Sequence, residues 1–225
     1  MRANGIIARA LDGTGIDLVA SCGIAAYDTR APAALRSSAL LPGARGLVVV
    51  ASAGPALWRR FRARMDARPE LWEAPHPYDA FVAETLSRAD DRLGAAGIRH
   101  LRFDAAFGAP LRVDFVKLAQ LVGLGAPAPF PLLIHPLHGP WWALRGAWLV
   151  DAEVDPPAVL CSPCDGCAAP CIGGRQNAST GAFRASPEVR GRCVVGQVSR
   201  YDAEQIAYHE NRAETAIRLR GAFRG

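Results

Sequence analysis

The sequence predicts an α/β fold in which helices cover a sheet. Residues 47–52, LVVVAS, form a short apolar run between two glycines, which is typical of a buried strand. Residues 78–93 carry an apolar stripe at helical spacing, which predicts a long amphipathic helix. Strand-like and helix-like segments alternate along the chain, as expected where helices pack on a sheet.

The remaining elements follow from shorter patterns. Alternating or apolar stretches predict strands at residues 16–20, 98–103, 130–134 and 141–150. Apolar residues three and four positions apart predict a short helix at the N-terminus and further helices over residues 58–65 and 111–122. The predicted order after the first strand is therefore strand, helix, strand, helix and two further strands.

The C-terminal third has a different character. Residues 151–160, DAEVDPPAVL, predict a turn-rich connection, and residues 173–191 lack periodicity, which predicts an irregular segment. Asp202 stands three residues before Gln205, a pattern that predicts the start of a last helix reaching about Leu219. We expect an α/β domain over residues 1–155 and a cysteine-rich segment with a final helix over residues 156–225.

Composition and termini indicate a folded cytoplasmic protein. The chain has 225 residues, is 50% hydrophobic and carries a net charge of +5, with Lys117 as its single lysine. Residues 1–23 lack the continuous apolar core of a signal peptide, and no run approaches the ~18 apolar residues of a membrane span. In a reducing compartment, clustered cysteines are more often metal ligands or redox thiols than disulfides.

Four cysteines fall within the eleven residues CSPCDGCAAPC. Cys161, Cys164, Cys167 and Cys171 have the spacing C-x2-C-x2-C-x3-C, which is typical of bacterial ferredoxins, although Ile172 replaces the usual proline. A structural zinc site normally uses two separate pairs of ligands, which this single run does not provide. The spacing therefore predicts an iron–sulfur cluster.

The sequence leaves the fourth ligand open. Cys193 is the single further cysteine downstream, so the five usable thiols are too few for two clusters. We predict one 4Fe-4S cluster held by Cys161, Cys164, Cys167 and either Cys171 or Cys193. Cys22 lies in an apolar segment and is expected to be a buried small hydrophobic residue.

Several stretches resemble known families. GIDLVAS, LLPGARGLVVVAS, LVGLGAPAPFPLLIHPLHGPWWALRGAWLVDAEV, the cysteine run and the later RC resemble, in this order, the catalytic half of epoxyqueuosine reductase, a cobalamin-dependent iron–sulfur enzyme of tRNA modification. The segment HPLHGPWWALRG is also similar to the cobalamin-processing decyanase and dealkylase family. The resemblance implies a flavin-reductase-like α/β sandwich that holds a corrinoid in a cleft, followed here by the irregular iron–sulfur segment and the final helix.

The chain also departs from both families. The second cysteine quartet and the helical tRNA-binding region of epoxyqueuosine reductases have no counterpart in these residues, so we do not expect tRNA as a partner. The cleft-lining GLGWIGKN segment of that family corresponds to residues 123–130, GLGAPAPF, without its tryptophan and lysine. The decyanase family in its best-known form lacks iron–sulfur clusters.

The resemblance suggests residues for cofactor binding. His135 and His138 could approach the corrin, although a histidine beside proline in a turn is commonly a hydrogen-bonded loop residue. Gly139 belongs to the same segment. Trp142 offers a flat apolar surface, with Trp141 and Trp148 as further candidates that could equally serve the core. Arg145 could pair with an amide carbonyl or a phosphate of the corrinoid.

Epoxyqueuosine reductases use an aspartate as proton donor shortly before the GLG segment. Asp104, which directly follows a predicted strand, and Asp114, on a predicted helix, both lie near that location. We favour Asp104, because the end of a strand can reach the rim of a cleft.

These expectations define a leading hypothesis and its alternatives. The chain is expected to be a cobalamin-binding or cobalamin-processing reductase with one 4Fe-4S cluster, supplied with electrons by a protein of flavodoxin or ferredoxin type. One alternative is a ferredoxin-like electron carrier without a substrate of its own. Another is a structural cluster in a module that binds protein or nucleic acid, consistent with the arginine content.

Overall fold

A four-stranded antiparallel sheet lies at the centre of the fold. The computed structural model describes residues 2–106, 113–129, 132–168, 171 and 187–211. The strands of the sheet are β1 (Leu18–Gly23), β2 (Gly46–Ala53), β3 (His100–Asp104) and β6 (Trp142–Val150), in the order β1-β2-β6-β3. A second, two-stranded antiparallel pair consists of β4 (Ala126–Pro127) and β5 (Leu133–Ile134).

Helices precede, connect and follow these strands. They are α1 (Ala3–Leu11), α2 (Ile24–Asp28), α3 (Ser37–Leu40), α4 (Ala56–Ala67), α5 (Pro77–Ala95), α6 (Phe115–Leu121), α7 (Pro187–Gly191) and α8 (Ala203–Glu210). Short 3-10 turns occupy Ala33–Leu35, Pro69–Glu73 and Gln197–Ser199. No helix in the described part of the chain is both long and apolar enough to cross a membrane.

The sheet is covered on both faces, which explains the apolar run in β2. Every residue of β2 is buried. Val48 and Val50 belong to a core shared with α1, α4 and α5, whereas Leu47, Val49 and Ala51 belong to a second core shared with α2 and α6. Because side chains alternate across a strand, two buried faces require apolar residues at nearly every position.

An irregularity in β6 changes which side chains face each core. The pairing of β2 with β6 shifts between Val50 and Ala51, so that Val50 lies opposite Gly146 and Ala51 opposite Leu144. Arg145 is the extra residue of this bulge. Trp142 packs in the core on the α6 side, while Trp148 is fully buried in the core on the α5 side.

The C-terminal helix α8 packs against the helices of the N-terminal part. Tyr208 lies with its ring centroid 4.9 Å from that of Trp58, within an aromatic group that also contains Phe61 and Tyr78. Trp58 Nε1 donates a hydrogen bond to Glu204 Oε1 at 3.2 Å. Contacts between the two predicted parts of the chain are therefore extensive, and the boundary near residue 155 stays a prediction.

The α/β expectation is confirmed, as a mixed structure whose sheet is antiparallel. The long helix predicted over residues 78–93 is α5, and the strand predicted at 141–150 is β6. Of the strand predicted over residues 130–134, Leu133–Ile134 forms β5, and residues 130 and 131 lie outside the described residues. The last helix begins at Ala203 as expected, and its extension toward Leu219 lies outside the described part.

Candidate functional site

A largely apolar cleft of about 540 Å³ lies between α6 and the start of β6. Its walls are formed by Val116, Gln120, Pro127, Ala128, Leu132, Leu133, Pro140, Trp142, Ala143, Leu144 and Arg190. Arg190 is the one charged side chain among these residues. A mainly apolar cleft with few polar groups is the usual form of a site for a small molecule or cofactor.

Trp142 is fixed in the wall of this cleft. Its Nε1 donates a hydrogen bond to the Leu133 carbonyl oxygen at 3.1 Å, which holds the indole against β5. Gly125 lies under the ring, where an added Cβ atom would stand 2.6 Å from Trp142 Cζ2. The predicted role of Trp142 as an apolar surface for a ligand is compatible with this position, and Gly125 leaves the space for it.

The two predicted histidines lie together in a tight turn next to Trp142. The backbones of His135 and Gly139 exchange two hydrogen bonds, of 3.0 and 2.9 Å. The ring centroids of His135 and His138 are 4.7 Å apart, and that of His135 lies 5.8 Å from Trp142. His135 Nδ1 accepts hydrogen bonds from the backbone N–H groups of Leu137 and His138, so a neutral His135 carries its proton on Nε2.

Burial keeps His135 neutral. Loss of solvent, and to a smaller extent the neighbouring His138, lower the pKa of His135 to about 4. His138 Nδ1 lies 2.8 Å from Ser199 Oγ, which ties the turn to the C-terminal segment. His135 is therefore a neutral imidazole at pH 7, and Nε2 carries the N–H of its ring.

Gly139 makes close backbone contact with the segment that follows Cys193. Its φ is +57°, and an added Cβ atom would stand 2.1 Å from the Val195 carbonyl oxygen. Gly196 is the matching glycine, with φ +73° and a Cβ position 2.1 Å from the His138 carbonyl oxygen. Gly139 was predicted to bind a cofactor; in the structure it allows the two loops to touch.

Arg145 points away from the cleft. Its Nε donates to Ser52 Oγ at 2.8 Å, and its guanidinium lies 5.1 Å from the centroid of the Tyr78 ring, in the core on the α5 side. Asp104 and Arg145 border one small hollow together with Asp79. Arg102 Nε pairs with Asp104 Oδ1 at 2.7 Å. The structure thus brings Asp104 and Arg145 near each other but on the other side of the sheet from the cleft.

Asp114 has a local structural role. It caps α6, where Oδ1 accepts a hydrogen bond from the Lys117 backbone N–H at 3.1 Å. This hydrogen bond lowers the pKa of Asp114, with the Lys117 ammonium contributing as well. A carboxylate held in its ionised form is a poor proton donor, so the geometry does not favour Asp114 over Asp104. The role of Asp104 stays a prediction.

Two consecutive turns curl the cysteine segment. The Asp165 N–H donates to the Ser162 carbonyl oxygen at 3.1 Å, and the Cys167 N–H donates to the Cys164 carbonyl oxygen at 3.2 Å. Gly166 adopts φ +74°, a conformation that glycine reaches without strain. A chain folded in this way can present successive thiols to one side.

Four of the five predicted ligands share one neighbourhood. The Cys164 thiol interacts electrostatically with Cys193, Cys171 and Cys167, and the Cys193 thiol interacts with Cys171 and Cys167. Burial is the main cause that raises the pKa of both Cys164 and Cys193, and the neighbouring thiols add to it. Cys161 is exposed, whereas Cys171 and Cys193 are buried.

The thiols do not converge on a single point. Among the described residues, no three His, Cys, Asp or Glu side chains are arranged to hold one metal ion. A zinc ion needs its ligand sulfurs about 2.3 Å away on all sides, which is a tighter arrangement. A cube of iron and sulfide takes one thiolate at each of its four iron corners, and four thiols in one neighbourhood match that donor set. The residues fit a cluster on this ground, and Cys22, fully buried in β1, takes no part.

The cysteine group and the cleft share a wall. Cys171 packs with Ile134 and Val189, and Ala128, Leu132 and Cys164 pack against this small core. Ala128 and Leu132 also line the cleft. A ligand in the cleft would therefore be separated from the thiols by little more than two aliphatic side chains.

Sequence reasoning did not identify Arg190 or Tyr201. Trp141 Nε1, Arg145 Nη2, Arg190 Nε and the Tyr201 hydroxyl are buried and have no hydrogen-bond partner within the described ranges. Burial raises the pKa of Tyr201 to about 12, although Arg145 and Arg190 lie close enough to oppose the shift. Arg190 lies within the stretch 173–191 that lacks periodicity, and Tyr201 lies between a 3-10 turn and α8, so neither belonged to a pattern that could have been recognised.

Comparison with known proteins places the fold. No protein-family model and no curated protein sequence matches this chain. The B12-trafficking protein CblC of C. elegans, a homologue of human MMACHC, superimposes with a TM-score of 0.63 at 14% identity over 97% of this chain and 94% of its own.

Two epoxyqueuosine reductases superimpose less completely. The enzyme of Streptococcus thermophilus has a TM-score of 0.50 at 13% identity over 74% of this chain, and that of Bacillus subtilis 0.50 at 17% over 75%. This chain spans 50% of each of those enzymes. The resemblance noted in the sequence to both families is thus confirmed in three dimensions: the chain shares its fold with CblC along nearly its whole length and with half of an epoxyqueuosine reductase.

Proposed function

We propose that this chain is a cobalamin-binding or cobalamin-processing reductase that carries one 4Fe-4S cluster. The observation that carries the proposal is the shared wall between the cleft and the thiol group, formed by Ala128 and Leu132. Electron transfer to a bound ligand needs a donor close to the ligand, and the thiols that would hold such a donor lie beside the cleft. The fold shared with CblC and with epoxyqueuosine reductase supports the same conclusion.

Each cofactor would supply chemistry that amino-acid side chains lack. A cluster supplies single electrons, and a corrinoid supplies a reducible cobalt. The chain itself binds and orients. Trp142 and Leu144 offer an apolar surface, neutral His135 offers an Nε2–H donor near the same indole, and Arg190 offers a cationic donor in the wall of the cleft.

The cleft is smaller than a whole cobalamin. Its volume of about 540 Å³ suits one face or edge of such a ligand, with the remainder in solvent. Few groups with a lone pair face the cleft, since its described wall is mainly aliphatic and aromatic. We infer that the ligand is held by its apolar face and by polar groups at the rim.

An electron donor must reach the cluster from outside. Leu137, Val194 and Val198 are 73%, 64% and 98% exposed and lie on the two loops that touch at Gly139 and Gly196. Arg192 and Arg200, also exposed, belong to the same stretch as the two valines. We infer that this apolar surface with its positive charges receives an acidic electron-transfer protein of flavodoxin or ferredoxin type.

The alternative is a ferredoxin-like electron carrier without a substrate. The exposed apolar surface favours it, because docking alone would require such a surface. A cleft of this size beside the cysteines has no role in that alternative, which is why the reductase is preferred.

Anaerobic purification, reconstitution with iron and sulfide, and titration with cob(II)alamin test the proposal. We expect iron and sulfide in equal amounts and a saturable change in the corrinoid absorption spectrum. Reducing the cluster first should then change the spectrum of the added cobalamin. A loaded cluster without any corrinoid response would favour the carrier, and zinc or no metal at all would exclude both.

A further inference from the structure

The five predicted ligand cysteines are not equivalent in the structure. Cys171 and Cys193 are each only 8% exposed, and Cys164 packs against the small core around Ile134. Cys161 is exposed and belongs to none of the hydrophobic cores of the described chain. The first cysteine of the motif is thus the most exposed of the five.

The electrostatic contacts divide the thiols in the same way. Cys164 and Cys193 interact with each other, and each interacts with Cys167 and Cys171. The Cys161 thiol is not among the groups that shift the pKa of Cys164 or of Cys193. The two turns of this segment span residues 162–165 and 164–167, so Cys161 precedes both of them.

Cys193 is held in place from several directions. Its N–H donates to the Arg190 carbonyl oxygen at 3.1 Å, and its carbonyl oxygen accepts from Gln197 Nε2. Three residues later, Gly196 is packed against His138. A ligand supplied from a distant part of the chain needs such support, because nothing in the C-x2-C spacing positions it.

We propose that Cys164, Cys167, Cys171 and Cys193 hold the 4Fe-4S cluster and that Cys161 lies outside it as a free thiol at the protein surface. This inference rests on the iron–sulfur part of the proposed function and specifies its ligands. It resolves the choice between Cys171 and Cys193 by including both, and it removes the first cysteine of the motif from the set. Ile134 and Val189 then shield the cluster from water on the side of the cleft.

Thiol labelling of the reconstituted protein tests this assignment without any variant. A short pulse of N-ethylmaleimide under anaerobic conditions, followed by peptide mass spectrometry, should modify Cys161 at least about tenfold faster than the four ligands, because coordinated thiolates are protected. Removal of the cluster with ferricyanide and a chelator should abolish the protection of Cys164 and Cys167, which are only partly buried by the chain itself. Cys22, which is buried, serves as an internal control that reacts only after unfolding.

Serine variants give a second measurement. Cys161→Ser should keep the full iron and sulfide content and its visible spectrum, whereas Cys193→Ser should lose at least about half of the iron. Loss of iron from Cys161→Ser, or equally fast labelling of Cys193 in the loaded protein, would overturn the assignment. A wild-type protein that takes up no cluster would overturn it as well.

The two proposals fail in different ways. If labelling follows the expected pattern but cobalamin produces no spectral change, the ligand assignment stands and the corrinoid function does not. If cobalamin binds to a cluster that requires Cys161, the function stands and the assignment does not.

Discussion

Gly139 and Val195 lie in backbone contact, so that a Cβ atom at Gly139 would stand 2.1 Å from the Val195 carbonyl oxygen. The contact joins the turn that holds His135 and His138 to the loop that follows Cys193. Gly196 makes the reciprocal approach to His138. The position of Cys193 beside the other thiols therefore depends on two glycines far apart in sequence.

Gly139→Ala should destabilise the protein and displace Cys193. The φ of +57° strains an alanine, and its methyl group would collide with the backbone of Val195, which cannot rotate away as a side chain can. We expect a loss of at least about 2 kcal/mol in the free energy of unfolding. Urea denaturation of the cluster-free protein measures this loss without any contribution from cofactor binding.

Gly94→Ala is the matched control for this change. Gly94 lies near the end of α5, and an added Cβ atom would meet nothing within 4 Å. Alanine there should stabilise the protein by about 0.5–1 kcal/mol, because it is the better helix former. Equal effects of the two substitutions would contradict the role assigned to Gly139.

Sequence patterns predicted the elements that build the frame but not the contacts between loops. The runs in β2, β6 and α5 were recognisable because burial on one or two faces imposes a period on the side chains. The contact of Gly139 with Val195 has no such period, since it depends on how two irregular segments approach each other. A glycine in HPLHGPW could therefore be noted as part of a resemblance, but its neighbour could not be foreseen.

The same distinction applies to the candidate site. The spacing of the cysteines predicted a group of thiols, and the structure brings Cys164, Cys167, Cys171 and Cys193 together. The position of Arg145 was harder to predict, because the bulge in β6 determines which face of the sheet it occupies. A one-residue shift in a strand exchanges its two faces, and the sequence gives no sign of it.

His135 should make stability fall as the pH falls. Its pKa in the folded protein is about 4, below the ordinary value of 6.5, so between these values the unfolded chain binds a proton that the folded chain does not. The contribution of neutral His135 is therefore complete above about pH 6.5 and is lost progressively down to about pH 4. Because the ring is only partly buried, we expect a loss on the order of 1 kcal/mol.

His135→Asn isolates this effect. The Asn side-chain oxygen can accept the hydrogen bonds that Nδ1 receives from Leu137 and His138, but it does not titrate. The variant should lose less stability than the wild type between pH 7 and pH 5, as measured by urea denaturation at each pH. Identical pH dependence in the two proteins would show that His135 does not carry the effect.

Val116→Trp should block the cleft without affecting the cluster. Val116 lines the cleft from α6 and is 53% exposed, so a larger side chain can be accommodated without disturbing either core. We expect cobalamin affinity to fall by about tenfold or more, since the indole would occupy the volume that the ligand needs. Iron content should remain that of the wild type.

Lys117→Trp provides the comparison on the same helix. Lys117 is exposed and does not line the cleft. In the variant, the backbone N–H of residue 117 can still donate its hydrogen bond to the capping carboxylate of Asp114. Cobalamin affinity should stay within about twofold of the wild type, as expected for a surface change remote from the ligand. A similar loss of affinity in both variants would place the corrinoid elsewhere.

Charge at Val198 should control the rate of electron delivery. Val198 is 98% exposed on the surface proposed to receive an acidic donor. Val198→Asp should slow the reduction of the cluster by reduced flavodoxin, and Val198→Lys should leave the rate unchanged or increase it. Stopped-flow measurements at low and high ionic strength test this: the difference between the reduction rates of the two variants should shrink as the salt concentration rises. Equal rates at low salt would place the donor on another surface.

Arg190→Gln should weaken binding of the ligand in the cleft. The Nε of Arg190 is buried without a hydrogen-bond partner in the described part of the chain, and the side chain lines the cleft at its border with the thiol group. A donor left unpaired in this position can be satisfied by an acceptor on the ligand, such as an amide carbonyl or a phosphate. Loss of one charge-assisted hydrogen bond corresponds to about 1.5–3 kcal/mol, or roughly a tenfold to hundredfold weaker affinity.

Arg192→Gln is the matched control for this change. The side chain of Arg192 is exposed and does not line the cleft, so removing the same charge at this position should change the affinity by less than about twofold. Spectral titration of both variants with cobalamin separates a local contact from a general effect of net charge: equal weakening would show that the arginine acts through long-range charge, and no weakening in Arg190→Gln would show that the ligand does not reach this wall.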